Sequence, residues 1–537
     1  MEEEKWALIS VYNKEGIIDF AKKISAMGWK ILASGGTAKK IQEAGIEVKD
    51  VAELVGGGAI LKHRVVTLSR ELHAGLLADT TDPEQVEEMK TLKLPIIGMV
   101  VCDFYPLSDA IAKEDATIES VVELTDIGGP TMVRSAAKGG RIVVCRAEDR
   151  ATVLEELEET GDVLEETKQR LRAVAEATVA GYCLDSAKFH GKDEFDGYIG
   201  EMFLTPKYGE NPYLNPAAFY NTKTDDALAL DKFKVVAGTD PSFNNLCDLD
   251  RLLQTMTHIS NVFDNNFGEQ PNICIGVKHG NPCGVGVSTN PKKAIEKMAI
   301  GDSRAIYGGL IMCNFTLDEE LADALVTTGQ KEGMTQKYDG VIAPAFNEGA
   351  IDVLSRKKGK CRLITNPALS ENLLLDNEER IRNVRGGFLV QPNYKYVLDF
   401  KDPEMIVIGE KKEEIEKDLA LAWAVGCTSN SNTIVLVNDG MLIGNGTGQQ
   451  DRVGAAELAV KRAKDAGHED MLNGAVAYSD SFFPFPDAPE VLIKAGAKAI
   501  FSTSGSVNDG LTHDVCKKSN VSIYQLPDKK ARGFCWH

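Results

Sequence analysis

The chain has 537 residues, 43% hydrophobic and 26% charged, and its 60 Lys and Arg against 80 Asp and Glu leave a formal charge of −20. That length exceeds what one hydrophobic core organises, so two or three domains are expected. The acidity excludes a general nucleic-acid binder, which needs a basic face, and no apolar run approaches the roughly 20 residues of a membrane span.

The acidic start Met1-Glu2-Glu3-Glu4-Lys5 lacks a secretory pattern and points to a cytoplasmic protein. Ala7–Val11 predicts a strand, residues 16–27 an amphipathic helix, and Lys30–Ala33 a second strand. Ser34-Gly35-Gly36-Thr37 then turns into the helix opened by Ala38. Glycines and helix-start N–H groups suit a phosphate, and the same residues also read as a plain turn capped by Thr37. Ser10 and Lys14 follow the first strand and so reach the same sheet edge, where open α/β sheets hold ligands. Strands are expected at 96–101 and 142–144. Asp126-Ile127-Gly128-Gly129-Pro130 forms a loop-to-helix junction, with Arg134 and Lys138 sharing one face of the helix. Residues 151–190 read as helical throughout, and Phe203-Leu204-Thr205-Pro206 suggests a boundary near 195–205.

Lys207-Tyr208-Gly209-Glu210-Asn211-Pro212 packs a cation, a phenol, a carboxylate and an amide into one turn, as a ligand contact or a surface turn. Further strands are expected at 273–277, 308–312, 341–343 and 433–437, with helices between, and the length suggests two similar α/β lobes. The 273–277 strand delivers Lys278 and His279 to a loop of Gly280, Asn281, Pro282, Cys283 and Gly284 that leaves room for a substrate. An imidazole there takes a proton from a weak amine nucleophile, and an ammonium steadies an oxyanion or donates to a leaving nitrogen. The 11 cysteines are scattered without a Cys-x-x-Cys pair and read as buried reduced thiols, not disulfides or zinc ligands. No Walker-type loop supports a nucleotide-dependent ligase or kinase.

Taken together and in order, Leu8–Val11 with Lys14, Ala33–Thr37, Thr125–Gly129, Lys207–Pro212, Ser242–Asn245, Lys278–Gly284, Asp339–Pro344, Ser431-Asn432, Gly448–Gln450 with Arg452, and Ser479–Asp487 resemble the bifunctional AICAR transformylase/IMP cyclohydrolase family almost end to end. The resemblance implies an α/β protein with a methylglyoxal-synthase-like parallel-sheet domain over 1–200 and a larger transformylase region over 201–537. It implies formyl transfer from 10-formyltetrahydrofolate, a co-substrate, to the 5-amino group of AICAR, followed by ring closure to IMP, with no catalytic metal. By resemblance, Lys278, His279 and Asn432 are the transformylase groups. Lys207, Tyr208, Arg452, Phe482, Asp487 and Arg532 match substrate contacts, and Asp339, Phe482 and Asp487 match folate contacts. Phe482 and Phe483 read as flanking a flat ring or as core aromatics. Ser10, Lys14, Ser34, Gly36, Thr37, Arg64 and Thr67 match contacts of the cyclohydrolase, and Tyr105, Asp126 and Lys138 its catalytic groups. A homodimer with shared transformylase sites is implied, with no nucleic-acid or membrane partner.

The departures from the family pattern that matter most lie in the N-terminal part. Where the family reads Arg-Val-Lys-Thr-Leu-His-Pro, this chain has Arg64-Val65-Val66-Thr67-Leu68-Ser69-Arg70, so a hydrocarbon, Val66, replaces the catalytic Lys. Two consequences are open: Lys62, His63 or Arg70 reaches the vacated position, or the N-terminal domain only binds a nucleotide or scaffolds the dimer. Lys207 stands for the usual Arg, keeping the charge but losing the bidentate fork. Tyr213-Leu214 replaces His-Gln.

Overall fold

Ala7 and Ile9 point into one apolar cluster while Leu8 points into another, so this strand is covered on both faces, as a parallel sheet requires. The computed structural model describes residues 4–61, 65–192, 194–371 and 373–534, and these fall into two compact units, Met1–Ile199 and Gly200–His537. In the first unit, β1 (Lys5–Ser10), β2 (Trp29–Ala33), β3 (Lys49–Asp50), β4 (Ile97–Cys102) and β5 (Ile142–Val144) form an all-parallel sheet in the order β3-β2-β1-β4-β5. The helix Ile17–Ala26 buries Ile17, Phe20, Ala21 and Ile24 on one face. The helix Gly128–Lys138 buries Met132, Val133, Ala136 and Ala137 on the other. The strand order reverses direction between β1 and β4, which opens a crevice at their carboxyl ends.

Residues 151–190 are not one helix. The chain forms Asp149–Thr160, stops at Gly161 with φ 79°, and restarts as Glu165–Gly191. A left-handed glycine at a helix end satisfies the last carbonyls at little steric cost and ends the helix. Of the segment Phe203-Leu204-Thr205-Pro206, read from sequence as a break, Phe203 and Leu204 close a strand, β6 (Glu201–Leu204), paired with β7 (Phe219–Asn221).

The second unit is built around a twelve-stranded mixed sheet made of two lobes. Lobe one runs β8 (Lys234–Ala237), helix Phe243–Phe267, the hairpin β9 (Asn272–Lys278) and β10 (Asn281–Ser288), helix Pro291–Ile300, β11 (Leu310–Cys313), helix Glu319–Thr327, β12 (Gly340–Ala343), helix Glu348–Leu354 and β13 (Arg362–Thr365). A hairpin of β14 (Glu379–Val384) and β15 (Gly387–Pro392) follows as a separate ribbon. Lobe two repeats lobe one: β16 (Ile406–Ile408), helix Glu413–Cys427, the hairpin β17 (Ile434–Asn438) and β18 (Met441–Gly446), helix Arg452–Asp465, β19 (Val476–Ser479), helix Asp487–Ala495, β20 (Ala499–Ser504), helix Asp509–Lys518 and β21 (Ser522–Pro527).

The lobes add in the matching orders β10-β9-β11-β12-β13-β8 and β18-β17-β19-β20-β21-β16, and they join where β10 meets β18 antiparallel at Gly286 and Met441. Glycines repeat the match. A Cβ on Gly284 or Gly286 would lie 2.4 Å from Met298 O or 2.1 Å from Ala294 O, and one on Gly444 or Gly446 would lie 2.4 Å from Ala459 O or 2.1 Å from Ala455 O. Each seam strand therefore carries glycines that let its covering helix approach by the backbone. The helices Phe243–Phe267 and Glu413–Cys427 share one core on the opposite face, centred on Trp423 and Met256. Contrary to the reading of the thiols as buried, Cys183 and Cys247 are exposed.

Candidate active sites

The carboxyl ends of β1, β2 and β4 in the first unit surround a cavity of about 460 Å³. Ser10, Lys14, Ser34, Gly36 and Thr37 line it, as do Val66, Tyr105 and Asp126. Ser34 makes no side-chain cap bond to the helix Gly35–Glu43. Thr37 does not cap either: it lies inside that helix, buried, and its hydroxyl donates to Val11 O at 3.2 Å, tying the glycine loop to the end of β1. Lys14 lies over the loop, its Cε 3.7 Å from where a Cβ on Gly36 would stand. These groups make a cradle for an anion.

Asp126 accepts from Gly129 N at 2.9 Å, and burial raises its carboxyl above the ordinary range against the pull of that N–H. Close approach explains the glycines after it: a Cβ on Gly128 would stand 2.6 Å from Thr67 Oγ1, and one on Gly129 2.6 Å from Asp126 Oδ2. Thr67 is thereby placed beside Asp126. Sequence reasoning missed Asp103, which also lines the cavity. It accepts from the backbone of Tyr12 and, at 3.1 Å, of Asn13, and burial raises its carboxyl too. Its position directly after β4, at the ligand-bearing sheet edge, was the available signal. Tyr12 and Tyr105 meet edge to face with centroids 5.5 Å apart.

Two expected residues lie elsewhere. Lys138 is exposed at the last turn of Gly128–Lys138, roughly 15 Å along the axis from the Asp126 end at 1.5 Å per residue. Arg134 turns to Glu176, with Nε 3.3 Å from Oε2. Lys62, His63 and Arg64 lie outside the described residues, and Arg70 is exposed beside Glu71, its Nε at 3.4 Å.

In the second unit, Lys278 ends β9, and His279 (φ 53°) with Gly280 (φ 72°) forms the two-residue turn to β10. Two successive positive φ values define the type I′ turn that matches strand twist. Lys278 and His279 line a cleft of about 380 Å³ at the lobe seam, with Asn281, Thr447 and the ion-paired Asp302 and Arg462. Lys278 Nζ donates to Tyr307 O at 2.6 Å. Asp339 adjoins the same loop, its N–H bonded to Gly309 O at 3.0 Å.

Asn281 Oδ1 accepts from Asn430 N at 3.3 Å, which ties this hairpin to the segment bearing Asn432. Asn432 is held against Gln449, its Nδ2 2.9 Å from Gln449 O. Asp480, fully buried, binds both flanks of Asn432: Ser431 Oγ donates to it at 2.6 Å and Thr433 N at 3.2 Å. Arg452 Nη2 reaches the same carboxylate at 3.3 Å. Burial raises the Asp480 carboxyl, and Arg452 opposes that rise. Arg452 Nε is buried with no partner among the described residues.

Asp528 plays the matching part for Arg532. It accepts from Arg532 Nη2, from Thr503 Oγ1 at 2.6 Å and from Ser481 Oγ at 2.8 Å. Burial pushes its carboxyl up, but these bonds outweigh it and hold it below the ordinary range. Phe482 is half-buried and Phe483 fully buried in the lobe-two core, so only Phe482 is open to a flat ring. Asp487 is exposed at the first turn of Asp487–Ala495.

The turn at Lys207–Pro212 leaves Lys207 exposed and Tyr208 half-buried. It meets the start of Phe243–Phe267 through Asn244 Nδ2 and Glu210 O at 3.3 Å. Asp480 and Asp528 escaped sequence reasoning because Ser431, Thr433 and Arg452 for the first, and Ser481 and Thr503 for the second, lie tens of residues away. Among the described residues, no group of three or more His, Cys, Asp or Glu is placed to hold a metal, and no helix is long and apolar enough to cross a membrane.

The family model described as AICARFT/IMPCHase bienzyme matches residues 136–462, and that of the MGS-like domain matches 16–131. The chain is similar to the bifunctional purine biosynthesis protein PurH of Anoxybacillus flavithermus, 35% identical over 524 residues that cover 96% of each chain. It is 37% identical over 529 residues to PurH of Halalkalibacterium halodurans, covering 96% of this chain and 97% of that one. PurH of Caldicellulosiruptor saccharolyticus is 34% identical over 532 residues, 97% of this chain and 98% of its own.

Proposed function

The chain belongs to the AICARFT/IMPCHase bienzyme family and is an enzyme of purine biosynthesis, and we propose that its formyl transfer runs on Lys278, His279 and Asn432 in the second unit. The observation that carries this is the Asn281–Asn430 bond, which brings the Lys278-His279 turn beside the segment of Asn432. The amine of AICAR is conjugated to an electron-poor ring and is a weak nucleophile. It attacks the formyl carbon of 10-formyltetrahydrofolate, and His279 takes its proton. Lys278 and Asn432 face the oxygen on which charge develops. The C–N10 bond then breaks, N10 takes a proton, and formyl-AICAR and tetrahydrofolate leave.

The net charge of −20 makes local cations essential for these anionic substrates; Lys207, Arg452 and Arg532 supply them, and Tyr208 and Phe482 add a phenol and an aromatic face to the substrate contacts. Asp339, Phe482 and Asp487 contact the folate. Ring closure takes place in the first unit, where Ser10, Lys14, Ser34, Gly36, Thr37, Arg64 and Thr67 bind the nucleotide. Tyr105 and Asp126 act on it, and closure is slowed by Val66. The enzyme is cytoplasmic and works as a homodimer with shared transformylase sites. The ribbon β14–β15 supports the dimer, because a lone two-stranded ribbon is marginal in water and Leu389 on it is 60% exposed. Sedimentation as an active monomer would rule the dimer out.

The central test supplies AICAR and 10-formyltetrahydrofolate and follows formyl-AICAR and IMP separately. His279→Ala and Lys278→Ala should each lower formyl transfer by about 10²–10⁴ while the protein stays folded. Near-normal turnover in either variant removes that residue from the mechanism.

A further inference from the structure

The turn that bears His279 is held from below by a carboxylate that the chemistry above leaves unused. Asp248 lies in the second turn of Phe243–Phe267 and is 9% exposed. Its Oδ1 accepts from Gly280 N at 2.7 Å, and the backbone N–H of His279 lies close enough to the same carboxylate to oppose the rise that burial imposes on it. Successive N–H groups of a left-handed turn converge on one anion, so a single carboxylate fixes both residues of the turn. This matters because position one of such a turn favours Asn, Asp or Gly, and His279 at φ 53° holds a backbone conformation that non-glycine residues adopt uncommonly. The helix reaches further along the same face. Arg251, three residues on, donates to Thr428 O, and Thr255 bonds Thr428 Oγ1 at 2.8 Å, at the head of the segment leading to Asn432.

Lobe two contains the same device without the chemistry. Asp439 (φ 50°) and Gly440 (φ 64°) form the turn between β17 and β18. Asp418, on the matching helix Glu413–Cys427, accepts from Asp439 N at 3.2 Å and from Gly440 N at 2.8 Å. Both lobes therefore need a helix carboxylate to build the hairpin tip, and only lobe one places Lys and His there.

We propose that Asp248 is a positioning residue for formyl transfer, fixing His279 and Lys278 at the cleft by holding the backbone of their turn, whereas Asp418 does the same for a turn that serves folding alone. The proposal rests on the assignment of His279 as the base. Asp418→Ala is thus a matched control within the same chain.

The test compares Asp248→Ala with Asp418→Ala for thermal midpoint and for steady-state formyl transfer. Both variants should lose a similar amount of stability. Asp248→Ala should also lose about 10²-fold in kcat, the scale of a misplaced reacting group, with KM for AICAR and for the formyl donor within about threefold. Asp418→Ala should keep kcat within about threefold. If an alanine variant does not fold, the Asn pair replaces it. Asp248→Asn keeps one acceptor and should lose about tenfold in kcat, while Asp418→Asn should lose none. A kcat for the Asp248 variants no lower than for their Asp418 counterparts overturns the proposal. Failure of the underlying assignment is distinguishable, because His279→Ala would then stay active.

Discussion

Replacing Val66 by Lys returns an ammonium to a cavity already lined by Lys14, Asp103 and Asp126. Ring closure needs the carboxamide nitrogen to attack the formyl carbon and then water to leave, and both steps build charge on oxygen. A unit charge about 5 Å from that oxygen, at the effective dielectric of 20 that suits partly buried sites, contributes about 3 kcal/mol. That is the size of one oxyanion donor, worth about 10²–10³ in rate. The stability cost is modest: Val66 is only half-buried at the edge of the second-face core, and a lysine stem replaces part of its contact. Val66→Lys should therefore raise IMP formation from supplied formyl-AICAR by about 10²-fold. Formyl transfer, measured from AICAR and 10-formyltetrahydrofolate, should not change. If the unaltered protein closes the ring rapidly and Val66→Lys adds nothing, another group supplies the charge. Lys62→Ala, His63→Ala and Arg70→Ala would then identify it.

Lys138→Ala should leave IMP formation within about threefold, because Lys138 sits at the far end of its helix from Asp126; a hundredfold loss, the scale of general acid–base catalysis, would place Lys138 in the cavity of a second subunit. His258, 3% exposed and stacked on Tyr394 with centroids 5.5 Å apart, is pushed down to about 4 by burial. Its folded value lies below its unfolded one, so its contribution is complete above about pH 6.5 and is lost as pH falls toward 4, by about 3 kcal/mol. Denaturant titrations of His258→Phe across that window should show a flatter pH dependence than the unaltered chain, and an identical slope would refute this account.

Apolar runs such as Ala7–Val11 and Ile273–Val277 located the strands because burial on both faces leaves no other reading for them. The lobe duplication was legible only as a matter of length, since the two copies share glycine placement and topology far more than side chains. Gly161 was visible, but the helical pattern on either side masked its stop signal. Ser34–Thr37 and Lys278-His279 were legible because their chemistry is local to a few residues. Asp248, Asp480 and Asp528 were not, because each is defined by partners brought in by the fold: Gly280 for the first, Ser431 and Arg452 for the second, Ser481 and Thr503 for the third. Lys138 shows the opposite fault. Its distance from Asp126 follows from helix rise alone, and resemblance outweighed that arithmetic.

The seam between β10 and β18 divides the constraints on this chain unequally. Gly284, Gly286, Gly444 and Gly446 answer to the same geometric demand and should tolerate change equally poorly in both lobes. The tips just beyond them do not. Asn438 and Asp439 answer only to the turn and to structural contacts, Asn438 Nδ2 with Met471 O at 2.6 Å and Asp439 Oδ2 with Lys297 Nζ at 3.3 Å, whereas Lys278 and His279 must satisfy the turn and the reaction at once. Substitution should therefore accumulate faster at the second tip than at the first.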